Sequence, residues 1–244
     1  QALQLAIQRE QLDLQRQQLV KTNILLQRQP VGTAAPLAEL PIEAGEEELP
    51  PADVACPYKG LAAFEAQDAE YFFGREELVA ELTARLAGTR FLAVVGQSGS
   101  GKSSLVRAGL LPAIWANGLP GSTDWKTLVI TPGAHPLNEL AARLSLLSDL
   151  GPGTILKELE SDPRALDLTI RRALADQPDD VRLLLVVDQF EEVFALCRDE
   201  SERRTFIDAL LYAVEAEEAR AVEVPTIRAD FYGRCADYPE LAAR

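Results

Sequence analysis

The sequence contains no methionine, only one histidine and only three cysteines among its 244 residues. Cys56, Cys197 and Cys235 are far apart and show no metal-ligand spacing, which argues against a zinc site. An odd number of cysteines without a signal peptide indicates reduced thiols, so we expect a cytoplasmic protein. Because a natural start residue is absent, we expect the chain to be a fragment of a longer protein.

Basic residues and long apolar runs are also scarce. The chain carries 24 Lys and Arg against 38 Asp and Glu, a formal net charge of −14. This balance argues against a broad surface for nucleic acid or anionic membrane. The longest apolar runs, FLAVV and LLLVV, fall far short of the roughly 20 residues that a membrane span requires. We therefore expect neither a membrane nor a direct nucleic-acid partner, and any bound anion must be held locally.

The first 55 residues divide into two segments of different composition. Residues 1–29 are Gln-rich without Gly or Pro, which predicts a helix. Leucines recur at only one position of each heptad, and the second position that a coiled coil needs to be apolar is polar. The pattern therefore favours a connecting helix over a self-associating coiled coil. Residues 30–55 are rich in Pro and Glu without any basic residue, which predicts an extended acidic linker. The recurring leucines are Leu5, Leu12, Leu19 and Leu26.

From residue 56 to residue 244 the pattern alternates between strands and amphipathic helices. One predicted helix opens near Asp162 and places Leu166, Ile170 and Leu174 on one face. Such alternation predicts the α/β class, with a parallel sheet flanked by helices. The predicted strands span residues 91–95, 127–131, 182–187 and 222–228.

A Gly- and Ser-rich loop follows the first predicted strand and precedes a helix. In this setting the pattern G-x-x-x-x-G-K-[ST] predicts a loop that binds a nucleoside triphosphate. The glycines let backbone N–H groups approach phosphates, the helix N-terminus adds its dipole, and Lys102 adds a positive charge. Ser103 is the expected Mg²⁺ ligand. The predicted nucleotide-binding residues are Gly96, Gln97, Ser98, Gly99, Ser100, Gly101, Lys102, Ser103 and Ser104.

A second motif, LLLVVDQFEEVF, buries a strand and delivers Asp188 at its carboxyl end, where ligands of open α/β sheets bind. Asp188 can hold Mg²⁺ directly or through water. Glu191 and Glu192 follow, and one of them is expected to be the general base for water. The other expectation for these two acids is that they cap a helix N-terminus.

The order of the strands carries two further expectations. Residues 127–131 stand between the two motifs, which suggests an extra strand inserted between the phosphate-loop strand and the Asp188 strand. Pro225 falls inside a predicted central strand, where it removes a ladder hydrogen bond, so we expect a bulge or a shortened strand there.

Five segments together resemble the STAND group of P-loop ATPases, which are signal-transduction ATPases related to NACHT and NB-ARC proteins. The resemblance is to the bacterial branch often coupled to WD-repeat propellers, with roles in defence or regulation, and it covers residues 56–244. Its segments are PYKGLAAFEAQDAEYFFGRE, VVGQSGSGKSSLVRAGLLP, TPGAHP, LLLVVDQFEEVF and IRADFYGRC. From the resemblance we expect the helical lid and winged helix with which this group clamps nucleotide to lie beyond residue 244.

The resemblance implies further site residues. It implies that Arg228, in IRAD, senses the γ-phosphate, with Arg107 and Arg234 as weaker candidates. It also implies that the segment ending in GRE surrounds the adenine; the candidates there are Phe72, Phe73, Gly74 and Arg75.

Three functions remain open at this stage. The first is a switch that binds ATP and Mg²⁺, oligomerises, activates an attached effector and resets by slow hydrolysis. The second is a turnover ATPase of the AAA+ kind acting on protein or nucleic acid. The third is a scaffold stabilised by nucleotide, which requires a stronger heptad pattern than residues 1–29 provide. The sequence favours the switch.

Overall fold

Four parallel β-strands form the centre of the fold. The computed structural model describes residues 59–60 and 62–244, so the predicted N-terminal helix and acidic linker lie outside the described residues. The order of the strands across the sheet is β1-β4-β3-β2. Because the strands are parallel, their carboxyl ends share one edge. The strands are β1 (Val94–Gly96), β2 (Lys126–Ile130), β3 (Leu183–Val187) and β4 (Ala221–Arg228).

Strand β3 is apolar throughout because helices cover both faces of the sheet. All five of its residues are buried. Leu183, Leu185 and Val187 pack into one core, whereas Leu184 and Val186 pack into the core on the opposite face. This division follows from the period of two in a strand, and the predicted α/β class is confirmed.

The helices lie in two layers. The helix after the loop, α2, has three consecutive segments, of which the middle one is π-helical. Helices α1 and α2 cover one face, and α3, α4, α5 and α7 cover the other. Their bounds are α1 Glu76–Leu86, α2 Lys102–Ser104 with Leu105–Leu110 and Leu111–Trp115, α3 Pro136–Leu144, α4 Pro152–Ser161, α5 Ala165–Ala173, α6 Glu192–Ala195, α7 Glu200–Glu215 and α8 Pro239–Ala242.

Short 3₁₀ helices connect these elements at Ala66–Tyr71, Ser122–Asp124 and Ala229–Asp237. The helix predicted after Asp162 is α5, and Leu166, Ile170 and Leu174 are buried as its pattern predicts. Within the described residues, no helix is both long and apolar enough to cross a bilayer.

A strand is inserted between the phosphate-loop strand and the Asp188 strand, as predicted, but it is not the expected one. Strand β4 lies between β1 and β3, whereas β2 lies at the far edge beside β3. The insertion therefore puts the end of β4, with Arg228, between the ends of the two motif strands.

Strand β4 runs without a bulge through Pro225, which pairs with Val187, and is eight residues long, so the predicted bulge or shortening of this strand is wrong. The interruption falls on β1 instead. The backbone of Glu223 faces the β1 side: its N–H donates to the Arg90 carbonyl, and its carbonyl accepts from the Leu92 N–H. Because alternate residues of a strand face the same neighbour, the next N–H toward β1 would be that of Pro225. Proline has no N–H, and the regular ladder with β1 resumes only at Val94. For this reason β1 has three residues and starts later than predicted.

Candidate functional site

The loop between β1 and α2 turns sharply at two glycines. Gly99 and Gly101 have φ angles of +71° and +84°, in the left-handed region where a side chain causes strain. Lys102 folds back across the loop, and its Nζ donates to the carbonyl oxygens of Gly96 and Gln97 at 2.9 Å each. The loop is thus closed on itself by its own lysine at the N-terminus of α2.

Asp188, at the end of β3, is almost completely buried and is tied to the loop. Its Oδ1 accepts hydrogen bonds from Ser103 Oγ at 2.8 Å, from Thr226 Oγ1 at 2.6 Å and from Gln189 N–H at 3.1 Å. Gln189 has a φ of +57°, and its N–H is shared with Thr226 Oγ1 at 3.0 Å. The structure therefore joins the two predicted metal-binding residues, Ser103 and Asp188, directly.

The second carboxylate oxygen of Asp188 has a different neighbour. Arg107 Nη2 lies 2.8 Å from Oδ2 as an ion pair, and no other described residue donates to Oδ2. Arg107 Nη1 donates to Glu65 Oε1 at 2.6 Å. Burial lowers the pKa of Arg107, but the hydrogen bond that it donates to Glu65 and the charges of Asp188 and Glu65 raise it above its ordinary value. The guanidinium therefore stays charged between two carboxylates.

The two adjacent glutamates have different surroundings. Glu191 lies next to the loop residues, and its Oε2 accepts from the N–H of Arg228 at 3.2 Å. Glu192 turns away, and its Oε2 accepts from the N–H of Gly133, in the loop after β2, at 3.0 Å. The two carboxylates thus accept hydrogen bonds from different segments, the end of β4 and the loop after β2.

Arg228 stands at the end of β4 beside these groups. Its guanidinium makes a bidentate pair with Asp230, with distances of 3.1 and 2.6 Å, and lies 5.4 Å from the centre of the Phe231 ring. The hydrogen bond and charge of Asp230 raise the pKa of Arg228, and the hydrogen bond from Arg228 lowers that of Asp230. Arg234 forms an exposed ion pair with Asp237 at 4.0 Å and is not among the residues that line the two cavities described below.

Two cavities meet at the loop. The first, of about 710 Å³, extends over α1 and the start of α2. The second, of about 430 Å³, lies over the ends of β3 and β4 and includes Glu191 and Arg228 in its lining. Residues that line both cavities are Phe64, Gly99, Gly101, Lys102 and Ser104.

The remaining predicted residues divide between these cavities. Gly96 and Ser100 line the first cavity, and Ser98 and Ser103 line the second, whereas Gln97 takes part through its backbone only.

Three residues of the segment ending in GRE line the first cavity: Phe72, Phe73 and Arg75. Gly74 has a φ of +79°, and its N–H donates to Glu76 Oε1 at 3.1 Å, so it shapes the turn.

Four residues of the site were not predicted from the sequence: Phe64, Glu65, Gln189 and Thr226. Phe64 N–H donates to Ser104 Oγ at 3.0 Å, and Glu65 holds Arg107. Thr226 precedes Arg228 by two residues on the same strand. The period of two therefore offered a signal for Thr226.

The donor set at Asp188 suits a hard divalent cation. Ser103 offers a hydroxyl oxygen and Asp188 a carboxylate, which are the ligand types that Mg²⁺ prefers. In addition, Asp188 Oδ2 is buried, and the Arg107 guanidinium is its one cationic neighbour among the described residues. These oxygens fit a magnesium ion bound together with phosphates.

Comparison with known proteins gives a family match and a structural likeness. No curated protein matches the chain. A solved structure of the Aeropyrum pernix ORC2 protein, described as ADPNP-ADP complexes, has a TM-score of 0.49 and 13% sequence identity; the match covers 82% of this chain and 48% of that one. The chain thus spans about half the length of that structure. Residues 57–244 match the family Novel STAND NTPase 1, or nSTAND1. This match covers most of the sequence and confirms the resemblance to STAND ATPases: the chain belongs to the Novel STAND NTPase 1 family.

Proposed function

We propose that the chain is an ATP- and Mg²⁺-dependent molecular switch of signal transduction. The observation that carries this proposal is the 2.8 Å hydrogen bond between Ser103 Oγ and Asp188 Oδ1, which ties the loop to β3. Around this bond, the second cavity brings together Lys102, Glu191 and Arg228. These groups suit the binding of a triphosphate, the activation of water and the recognition of the terminal phosphate.

Triphosphate binding uses the loop and the start of α2. Lys102 Nζ, which donates to two carbonyl oxygens of its own loop, exchanges them for phosphate oxygens. The glycines permit close approach of the backbone, and the N-terminus of the helix favours negative charge. Magnesium, when bound with the nucleotide, neutralises phosphate charge, and Ser103 and Asp188 are the residues that would hold it.

We propose that the base of the nucleotide binds in the first cavity. Phe72 and Phe73 offer apolar ring surface there, and Arg75 offers hydrogen-bond donors. The first and second cavities meet at Lys102, so one nucleotide can extend from one cavity into the other.

Hydrolysis is assigned to Glu191 rather than Glu192. Glu191 lines the second cavity, whereas the Glu192 carboxylate holds Gly133 in another loop. A carboxylate in this position orients a water molecule and accepts its proton as the water attacks the γ-phosphorus. In a switch this reaction is slow and resets the ATP-bound form.

The response to the γ-phosphate is assigned to Arg228. A phosphate in the second cavity competes with Asp230 for the Arg228 guanidinium; Arg228 borders the 3₁₀ helix Ala229–Asp237, and Asp230 lies in its first turn. Exchange of Asp230 for phosphate therefore alters that helix. We infer that the ATP-bound form assembles with further copies and activates an effector in the cytoplasm, in keeping with the STAND family.

The nucleotide site is tested by the change Lys102→Ala. Calorimetric titration with ATP and Mg²⁺ should show binding by the unchanged chain and loss of binding by Lys102→Ala, with the same melting temperature. Lys157→Ala is the matched control, because Lys157 is an exposed lysine on α4. Equal ATP affinity of Lys102→Ala and Lys157→Ala would contradict the site.

A further inference from the structure

Arg107 makes two carboxylate contacts that connect different parts of the site. Its Nη2 lies 2.8 Å from Oδ2 of the buried Asp188, whose sequence neighbour Gln189 lines the second cavity. Its Nη1 donates to Glu65 Oε1 at 2.6 Å. One guanidinium thus connects the carboxylate assigned to the metal with a segment that precedes the first 3₁₀ helix.

That segment, residues 62–65, forms one wall of the second cavity, and we call it the wall segment. Ala62, Ala63 and Phe64 line the cavity opposite the ends of β3 and β4. Its contact with α2 includes one backbone bond, from Phe64 N–H to Ser104 Oγ at 3.0 Å. Its other hydrogen bonds are local, between Ala62 N–H and the Lys59 carbonyl and between Glu65 and Asp68, and the Phe64 ring packs 6.2 Å from the Phe72 ring. The ion pair of Glu65 with Arg107 is therefore a major attachment of the wall segment to α2.

The surroundings of Arg107 make its two contacts interdependent. Asp188 is 1% exposed, and Arg107 is the only basic residue that forms an ion pair with it among the described residues. Glu65 is about half exposed, with a side-chain accessibility of 45%. A change of charge at Asp188 therefore changes the attraction between Arg107 and Asp188, and with it the strength of the ion pair between Arg107 and Glu65.

We propose that Arg107 is a positioning residue that couples the charge at Asp188 to the closure of the wall segment over the second cavity. The proposal rests on the proposed function, because the second cavity is where the triphosphate is placed. Arg107 is then the residue through which a cation at Asp188 affects the wall segment. It acts through Asp188 and Glu65 and does not itself touch the nucleotide.

Hydrogen exchange of the nucleotide-free chain tests this coupling without any requirement for ATP binding. The variant Arg107→Gln should raise the exchange rate of the wall-segment amides, Phe64 among them, by about fivefold or more. Arg171→Gln is the matched control, because Arg171 bridges the buried Asp167 at 2.9 Å and the exposed Glu218 at 2.8 Å in the same manner on α5. It should leave the wall segment unchanged.

The decisive comparison removes the charge of Asp188 in two backgrounds. Asp188→Asn should raise wall-segment exchange in the unchanged chain, yet have no further effect in Arg107→Gln. An equal increase in both backgrounds would overturn the proposal, since the coupling would then pass through Ser103 and α2 to Ser104.

If Arg107→Gln does not fold, Glu65→Gln breaks the outer contact alone, and the effect of Asp188→Asn must vanish in that background too. Persistence of the effect there would likewise overturn the proposal. Separate titration with ATP reports on the proposed function, so failure of one is not mistaken for failure of the other.

Discussion

At the scale of single residues, identical side chains have different tasks because their partners differ. Glu191 and Glu192 are neighbours in sequence, but one accepts from Arg228 N–H in the second cavity and the other from Gly133 N–H outside it. The sequence alone left the choice of general base open. We propose Glu191 as the base, because it lines the second cavity whereas the Glu192 carboxylate accepts from Gly133 N–H.

We expect Glu191→Gln to keep ATP binding and to lower the rate of hydrolysis by about 10²-fold or more, the usual effect of losing a general base. Glu192→Gln should hydrolyse ATP at nearly the unchanged rate and serves as the matched control. Phosphate release under single-turnover conditions measures both. Full activity of Glu191→Gln, or the larger loss in Glu192→Gln, would reverse the assignment.

Arg228 should discriminate ATP from ADP. If its guanidinium contacts the γ-phosphate, Arg228→Ala should weaken ATP binding by roughly 10- to 100-fold, the value of a charged hydrogen bond, and leave ADP binding unchanged. Asp230→Asn removes the competing carboxylate and should shift the ratio of the two affinities the opposite way. Calorimetry with each nucleotide measures the ratio, and equal losses for ATP and ADP would make Arg228 a structural residue.

The residues themselves predicted the loop and Asp188, because each follows an apolar strand and parallel strands end at one edge. Arg228 was implied by the resemblance to STAND ATPases. The sequence did not predict the Arg107 bridge. Arg107 lies in the π-helical segment Leu105–Leu110, where the wider turn changes the direction of side chains relative to an α-helix. Glu65 lies in an irregular segment far from Arg107 in sequence, so no periodic pattern relates the two.

At the scale of elements, β4 combines two residues that a central strand usually excludes. Pro225 lacks the N–H that would bond to β1, so the ladder with β1 is short while β4 itself keeps its full length. Strand lengths were therefore predicted better for β2 and β3 than for β1, because neither of those strands faces the missing donor. Glu223 is fully buried, and both of its carboxylate oxygens lack a partner among the described residues.

Burial raises the pKa of Glu223 well above its ordinary value of 4.5. Above about pH 4.5 the unfolded chain has lost this proton while the folded chain retains it, so the contribution of Glu223 to stability falls as the pH rises toward the folded-state pKa. Replacement by Leu should raise the free energy of unfolding by about 1–3 kcal/mol at pH 7 and remove this pH dependence.

Glu223→Gln is the control, because it removes the titration but keeps polar atoms in the core. Urea unfolding at pH 5 and pH 7 measures all three chains. An unchanged stability and pH profile in Glu223→Leu would show that the carboxyl group is not buried without a partner.

At the scale of the whole molecule, we propose that the chain distinguishes ATP from ADP by the γ-phosphate and adopts a different conformation with each. A ligand shifts a conformational equilibrium only by its difference in affinity for the two states, so ATP and ADP must be bound in different arrangements. The element expected to differ is the 3₁₀ helix Ala229–Asp237, which begins directly after Arg228.

The most direct measurement is hydrogen exchange of residues 229–237 in Glu191→Gln, which should hold ATP without hydrolysing it. With Mg²⁺, we predict that ATP changes exchange in this segment by several-fold relative to ADP, and that the added change Arg228→Ala removes the difference. Identical exchange with ATP and ADP, at saturation by both nucleotides, would contradict the account: the chain would then bind nucleotide without acting as a switch.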